Sequence, residues 1–266
     1  METIENATQE ILESMRQREQ DFLNRHIKPQ TPEQAEKTRQ YWDNVFSTPP
    51  RQTSDLVMTR NTNQELPYEE ARKKFWAVLQ MRAAHIEVLE KKPFEWTFDD
   101  EQKQILQNLL KYFINDPSCA WPLTKGLFIY GAPGTGKTEI LTALSEFCWR
   151  QVPQMAKYFK MCSLSEIYIQ AKASKDIDPI QPNIQNDRCF DEFGRYTGAI
   201  LRYGDPLDIN EAIIEQRYTR YRRYGQLTHF IANATPNELE GSITPMVFDR
   251  LRSMCTSVHF SGTSKR

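Results

Sequence analysis

The sequence predicts an α/β protein: a three-layer parallel sheet with crossover helices, preceded by a helical region. Three observations predict it. From about residue 97 onward, short apolar segments alternate with helix-length segments, the pattern of parallel strands joined by crossovers. Residues 1–95 are rich in Glu, Gln, Arg and Lys and poor in Gly, and read as helical. Between one strand segment and the next helix lies a glycine-rich stretch, Gly131-Ala132-Pro133-Gly134-Thr135-Gly136-Lys137-Thr138. A chain of 266 residues accommodates one domain of about 150 residues with an appendage. The expected partition is therefore a helical N-terminal region, 1–95, and a sheet domain, 96–266.

The N-terminal region opens with a helix over about 3–26, where Ile4, Ile11, Leu12, Met15, Phe22 and Leu23 can form one apolar stripe. Thr31-Pro32-Glu33-Gln34 reads as a second helix start, with Thr at the N-cap, Pro at N1 and Gln at N3. Ser47-Thr48-Pro49-Pro50 begins a polar stretch to about 66 with little periodicity, expected as a linker. A strong helix over 67–91 follows, carrying Phe75, Trp76, Val78, Leu79 and Met81, and Pro93 stops it.

From Thr97 a further helix runs to about Asn115. Strands are then expected at 126–130, 157–161, 187–191, 227–233 and 256–260, and helices at 136–151, 164–174, 209–224 and 244–254. The strand at 187–191 is weak, because Asn186, Asp187 and Arg188 interrupt its apolar run, and 195–208 reads as a loop.

Composition narrows the class. Hydrophobic content of 39% against 26% charged is that of an ordinary globular protein. Net charge is −1, with the acidic excess in the first hundred residues and a basic excess in the rest, too balanced to declare nucleic-acid binding from charge. Five cysteines form no C-x-x-C pair and no zinc-finger spacing, so a structural zinc site is not expected and a reducing, cytoplasmic setting is. No apolar run approaches the roughly 20 residues of a membrane span, and Met1-Glu2-Thr3-Ile4-Glu5-Asn6 lacks the basic and apolar regions of a signal peptide.

The stretch Gly131–Thr138 matches G-x-x-x-x-G-K-[ST] in the setting that gives the motif meaning, after a strand and before a helix. Its glycines let backbone N–H groups turn toward phosphate oxygens, and the helix N-terminus adds a positive dipole end. Lys137 would reach the β- and γ-phosphates, and the Thr138 hydroxyl would join a magnesium shell. With Glu139 immediately after it, this is the expected site for ATP and Mg²⁺.

Roughly 55 residues on, Cys189-Phe190-Asp191-Glu192 supplies a second element. Asp191 at a strand end can hold magnesium, and Glu192 can orient and deprotonate the attacking water. Paired in this way they point to hydrolysis. Thr228-His229-Phe230-Ile231-Ala232 ends in Asn233; if that strand lies between the two others, Asn233 stands beside the water, and otherwise it suits a turn before Thr235-Pro236.

With Phe248-Asp249-Arg250-Leu251-Arg252 and the closing Gly262-Thr263-Ser264-Lys265-Arg266, this order of elements resembles the DnaC/IstB-like AAA+ ATPases, helicase loaders and transposition helpers, over about residues 97–266. The resemblance implies that Asn233 is a sensor residue and Arg250 an arginine finger acting on ATP held by a neighbouring subunit, and hence self-association around nucleotide. Arg266 corresponds to the arginine of the family's closing Ser-x-Arg motif. It implies a protein of DNA replication that loads a replicative helicase through its N-terminal region, or, alternatively, a transposase-bound helper. An ATP-gated binding module with incidental hydrolysis is a reading from another class. A small-molecule kinase would need an Arg-rich lid, which is not evident.

Arg217-Tyr218-Thr219-Arg220-Tyr221-Arg222-Arg223-Tyr224 interleaves arginines with tyrosines. Arg217, Arg220, Tyr221 and Arg223 are candidate contacts to single-stranded DNA, where ring stacking is worth about 1–3 kcal/mol per base. The same cations would offset a helix dipole, and the tyrosines suit a subunit seam; the sequence leaves these readings open.

Overall fold

A computed structural model of the chain describes residues 66–150, 157–173, 178–196, 199–202 and 205–262. The expected helices over 3–26 and from Thr31, all but the last residue of the linker, and the closing Thr263–Arg266 lie outside them. The chain divides into two compact units, Met1–Pro50 and Arg51–Arg266, and every described residue belongs to the second.

Helices α1 (Tyr68–Glu90) and α2 (Asp100–Phe113) precede the first strand, β1 (Gly126–Tyr130). The glycine-rich stretch then leads into α3 (Lys137–Arg150), β2 (Lys160–Ser163) and α4 (Leu164–Ala173). A short 3₁₀ turn, Gln181–Asn183, precedes β3 (Arg188–Phe193). After it come β4 (Ile200–Arg202), β5 (Asp205–Leu207), α5 (Ile209–Tyr224), β6 (Thr228–Ala232), α6 (Pro236–Glu240), α7 (Pro245–Met254) and β7 (Cys255–His259).

Five strands form one sheet in the order β2-β3-β6-β1-β7, and every pairing in it is parallel. The period-2 alternation of a strand sends neighbouring side chains to opposite faces, and β1 shows the result. Leu127 and Ile129 join one core with Phe75 and Leu79 of α1, Leu109 and Phe113 of α2, and Phe147 of α3. Phe128 joins the other with Ile167 of α4, Ile213 and Ile214 of α5, and Leu251 of α7. Helices thus cover both faces, as a parallel sheet requires, and the expected α/β three-layer architecture is what the structure shows.

Some boundaries moved for identifiable reasons. The helix expected from Thr97 begins at Asp100, because Asp99 and Gln102 form a reciprocal capping box. The strand expected at 157–161 is 160–163; the Lys157 amide is taken by the Phe113 carbonyl at 2.8 Å instead of a sheet partner. The loop at 195–208 contains the antiparallel β4–β5 hairpin, and a short helix, α6, capped by Thr235 and Glu238, follows β6. The weak start of β3 is secured from outside the strand: Asp187 accepts from the Leu227 amide at 2.8 Å, and the Asn186 carbonyl accepts from Arg217 at 2.7 Å.

Helix α1, read from the sequence as part of the N-terminal region, packs on α3 within the same unit as the sheet. Phe75 meets Phe147 edge to face at 5.8 Å, and Ala71, Phe75, Val78, Leu79 and Ala83 are buried. Each such large side chain stabilises the unit by about 1.5–3 kcal/mol.

Candidate nucleotide and magnesium site

The glycine-rich loop leaves β1 hard against the segment that follows β7. An added Cβ at Gly131 would lie 2.2 Å from the Phe260 carbonyl oxygen, so only glycine lets the loop leave β1 this close to the segment after β7. Gly136, at φ +94°, turns the chain into α3 in a conformation that other residues adopt only with strain.

Lys137 is buried at 5% exposure, and its Nζ donates to the carbonyl oxygens of Gly131 and Ala132, both at 2.8 Å. Burial pulls its pKa down, and the nearby Asp191 carboxylate opposes that shift. The ammonium is therefore fixed at the loop, its other neighbour being the Thr135 hydroxyl at 3.4 Å.

Asp191 and Glu192 sit at the end of β3, where the ladder with β6 shifts register between Phe190 and Phe193. Glu192 occupies the left-handed region at φ 60°. A bulge of this kind re-aims side chains beside a site. Here Asp191 faces the loop: its Oδ1 accepts from the Thr138 hydroxyl at 3.2 Å and from the Glu192 amide at 2.8 Å. Burial raises the Asp191 pKa, and these two hydrogen bonds and Lys137 work against the rise.

The Thr138 hydroxyl and the Asp191 carboxylate are hard oxygen donors in direct contact, which suits Mg²⁺. That ion commonly takes one or two protein oxygens and completes its shell with phosphate and water. Among the described residues no group of three or more His, Cys, Asp and Glu side chains converges on a point, so a caged all-protein metal site is not what these residues offer.

Glu192 lines the same cleft, but its carboxylate is engaged on both oxygens, by the Ser165 hydroxyl from α4 and by the Arg195 guanidinium. Asn233 directly follows β6, which does lie between β1 and β3, and its exposed side chain lines the cleft. The loop, Asp191, Glu192 and Asn233 are thereby brought together around one cavity of about 680 Å³.

The cleft also has walls that the sequence reading missed. Ile86 and Glu90 from α1, and Phe94 and Trp96 from the segment after it, close its far side. Trp96 is fixed by an Nε1 hydrogen bond to the Leu79 carbonyl at 2.8 Å and stands edge to face with Phe94 at 5.0 Å. The aromatic cluster after Pro93 was a visible signal, but no motif ties it to a loop some 35 residues later. Glu139 lines the cleft as well, with its carboxylate bound by Arg82.

Two other candidate groups lie elsewhere. Arg250 on α7 does not line its own chain's cleft; it pairs with Glu215 at 2.7 Å and stands over the Tyr218 ring. That pairing is what an ordinary helix arginine shows, and a role in a neighbour's site requires Arg250 to leave Glu215. Arg217, a candidate DNA contact, is corrected: it is fully buried and cannot touch nucleic acid. Its guanidinium donates to the Thr228 hydroxyl at 2.8 Å, to the Leu227 and Asn186 carbonyls at 2.6 and 2.7 Å, and to the Ile184 carbonyl. Tyr221 packs partly into the core, Arg220 lies over the Tyr224 ring, and Arg223 is exposed.

No family model matches this chain, and no curated protein matches it. Among solved structures it is similar to a candidate primosome component from Streptococcus pyogenes serotype M3, at 17% identity over 63% of this chain and 84% of that one, with a TM-score of 0.49. It is also similar to DnaI, at 16% identity over 65% and 88% of the two chains and a TM-score of 0.48. A third is the DnaC helicase loader, at 14% identity over 62% and 93% and a TM-score of 0.44. Likeness of this degree assigns neither an activity nor a partner.

Proposed function

We propose that this chain is an AAA+ protein of the DnaC/IstB-like family that binds and hydrolyses ATP with Mg²⁺, acts in DNA replication in the cytoplasm, and loads a replicative helicase onto DNA. The observation that supports this reading most strongly is the strand order. It sets Asn233 between the loop of Gly131–Thr138 and the Asp191-Glu192 pair, so that residues over 100 positions apart face one cleft.

In this reading the loop amides and Lys137 take the β- and γ-phosphates, which requires the Lys137 ammonium to exchange its carbonyl partners for phosphate oxygens. Thr138 and Asp191 would hold magnesium, whose positive charge would offset the negative charge of the phosphates. Glu192 accepts a proton from the attacking water, and Asn233 orients that water. Since Ser165 and Arg195 occupy the Glu192 carboxylate, Glu192 must leave them to work. Residues upstream of 66 are assigned the partner, a helicase or a transposase, and Arg250 the active site of the next subunit; Arg220, Tyr221 and Arg223 remain candidate single-strand contacts.

The test is a pair of variants in an ATP-binding and turnover assay. Lys137→Ala should abolish binding, while Glu192→Gln should bind normally and fail to hydrolyse, because an amide cannot accept the proton. Unchanged nucleotide affinity in Lys137→Ala refutes the site. Wild-type turnover in Glu192→Gln refutes the base. Affinity capture with the full chain then separates the partner classes, a hexameric helicase supporting the loader and a transposase replacing it.

A further inference from the structure

The cleft proposed to hold a triphosphate is lined by more negative charge than positive. Glu90, Glu139, Asp191 and Glu192 face it, against Lys137 and Arg195. Arg195 is already paired with Glu192, and Asp191 is matched by Thr138 and the magnesium ion proposed there. That leaves Glu90, at the exposed end of α1, and Glu139, which sits in the first turn of α3 directly after the phosphate-binding loop, where a polyanion would sit.

Arg82 answers that charge. It projects from α1 and binds Glu139 through two nitrogens, Nη2 at 2.6 Å and Nε at 2.9 Å, and reaches Glu146 through Nη1 at 3.0 Å. Its side chain is 17% exposed, less than those of Glu139 and Glu146 at 38% and 34%, so the cation is the better-shielded member of the group. Glu139 and Glu146 lie two helical turns apart on one face of α3, and only Glu139 lines the cleft.

We infer that Arg82 is a positioning residue for polyphosphate binding. It never touches the ligand; it neutralises Glu139 and turns that carboxylate away from the phosphates. The inference rests on the nucleotide reading given above. It also makes α1 a contributor of charge, as well as of wall, to a site whose sequence motif begins at Gly131.

The experiment measures the affinity of the full chain for Mg²⁺-ATP, and for AMP, in wild type, Arg82→Ala and the double variant Arg82→Ala/Glu139→Gln. Arg82→Ala should weaken ATP binding about three- to tenfold, the scale of one uncompensated charge acting across a half-exposed site, and weaken AMP much less. Raising the salt concentration should shrink the defect, because screening acts on charge and not on packing. The double variant should recover most of the affinity that Arg82→Ala loses, since the carboxylate that Arg82 compensates is then gone.

Arg82 as a mere staple between α1 and α3 predicts the opposite: no rescue by Glu139→Gln, no salt dependence and equal losses for ATP and AMP. Any of these, or ATP affinity in Arg82→Ala within twofold of wild type, overturns the inference. If Arg82→Ala does not fold, Arg82→Gln is measured in its place with the same rescue arm. Loss of ATP binding in Lys137→Ala together with an unaffected Arg82→Ala would sink this inference alone. A wild-type chain that binds no ATP would sink it together with the nucleotide reading.

Discussion

Replacing Arg217 by Met should destabilise the described unit by about 2–4 kcal/mol. The side chain is fully buried, and burial draws its pKa down only to about 10, so it is charged at neutral pH. Met removes that charge but leaves its acceptors behind. The Leu227 carbonyl keeps a second donor in the Arg188 amide at 3.3 Å, so the losses fall chiefly on the Ile184 and Asn186 carbonyls and the Thr228 hydroxyl. A stranded buried acceptor costs about 1–3 kcal/mol, and relief of the buried charge offsets part of the sum. At about 2–4 °C per kcal/mol for a unit of this size, the melting temperature should fall by about 4–16 °C. Arg223→Ala, at an exposed position of the same helix, should move it by less than about 2 °C. The assay is thermal unfolding followed by circular dichroism. An Arg217→Met protein that melts with the wild type would show that the residue is not buried as described, and would return it to the list of nucleic-acid contacts.

A fragment beginning at residue 66 should bind ATP and lose the protein partner, whereas one beginning at Thr97 should be unstable, because it strips Phe75, Val78, Leu79 and Trp96 from the core; ATP titration and partner capture on the two fragments decide this, and retained capture by the first would refute the assignment of residues 1–65. Arg250→Ala should bind ATP almost normally and hydrolyse it about 10³-fold or more slowly under assembling conditions, where a surface arginine would leave turnover nearly unchanged. Mixing Arg250→Ala with Lys137→Ala subunits should restore turnover at interfaces that pair a sound loop with a sound finger; a mixture that stays dead while wild-type assemblies turn over rules out action in trans. Asp191→Asn should abolish magnesium-dependent turnover while leaving the fold's melting temperature close to wild type, and undiminished turnover would remove Asp191 from the metal site.

The glycine-rich loop was legible because its pattern is local: glycine, lysine and threonine at fixed offsets between a strand and a helix. The place of Asn233 at the cleft was legible only conditionally, since it depends on which strands are neighbours, and pairing order is a property of the folded sheet rather than of any segment. The bulge that turns Asp191 toward Thr138 and sets Glu192 at φ 60° leaves no mark in the residue types. Arg217 is different, because a signal existed. Asn210, Ile213, Ile214 and Arg217 recur at helical spacing and are the buried face of α5, so the period placed Arg217 inside while its charge suggested outside. The period was the better guide, since the carbonyls around the start of β3 needed a donor and a buried guanidinium could supply several at once.

The walls of the cleft were beyond motif reasoning for a further reason: they come from α1, a helix whose sequence pattern is that of an ordinary packing element. Its residues divide by face. Phe75, Val78 and Leu79 go to the core, while Arg82, Ile86 and Glu90, at four-residue intervals, run along the side that meets the first turn of α3 and the cleft. A helix anchored by several large buried side chains cannot shift independently of α3 without opening that core, which packs as densely as a crystal. Arg82 carries that packing to Glu139, one residue from the Thr138 hydroxyl. Packing of α1 on α3 and charge pairing at Arg82 together join α1 to the first turn after the glycine-rich loop, through a contact that neither element reveals alone.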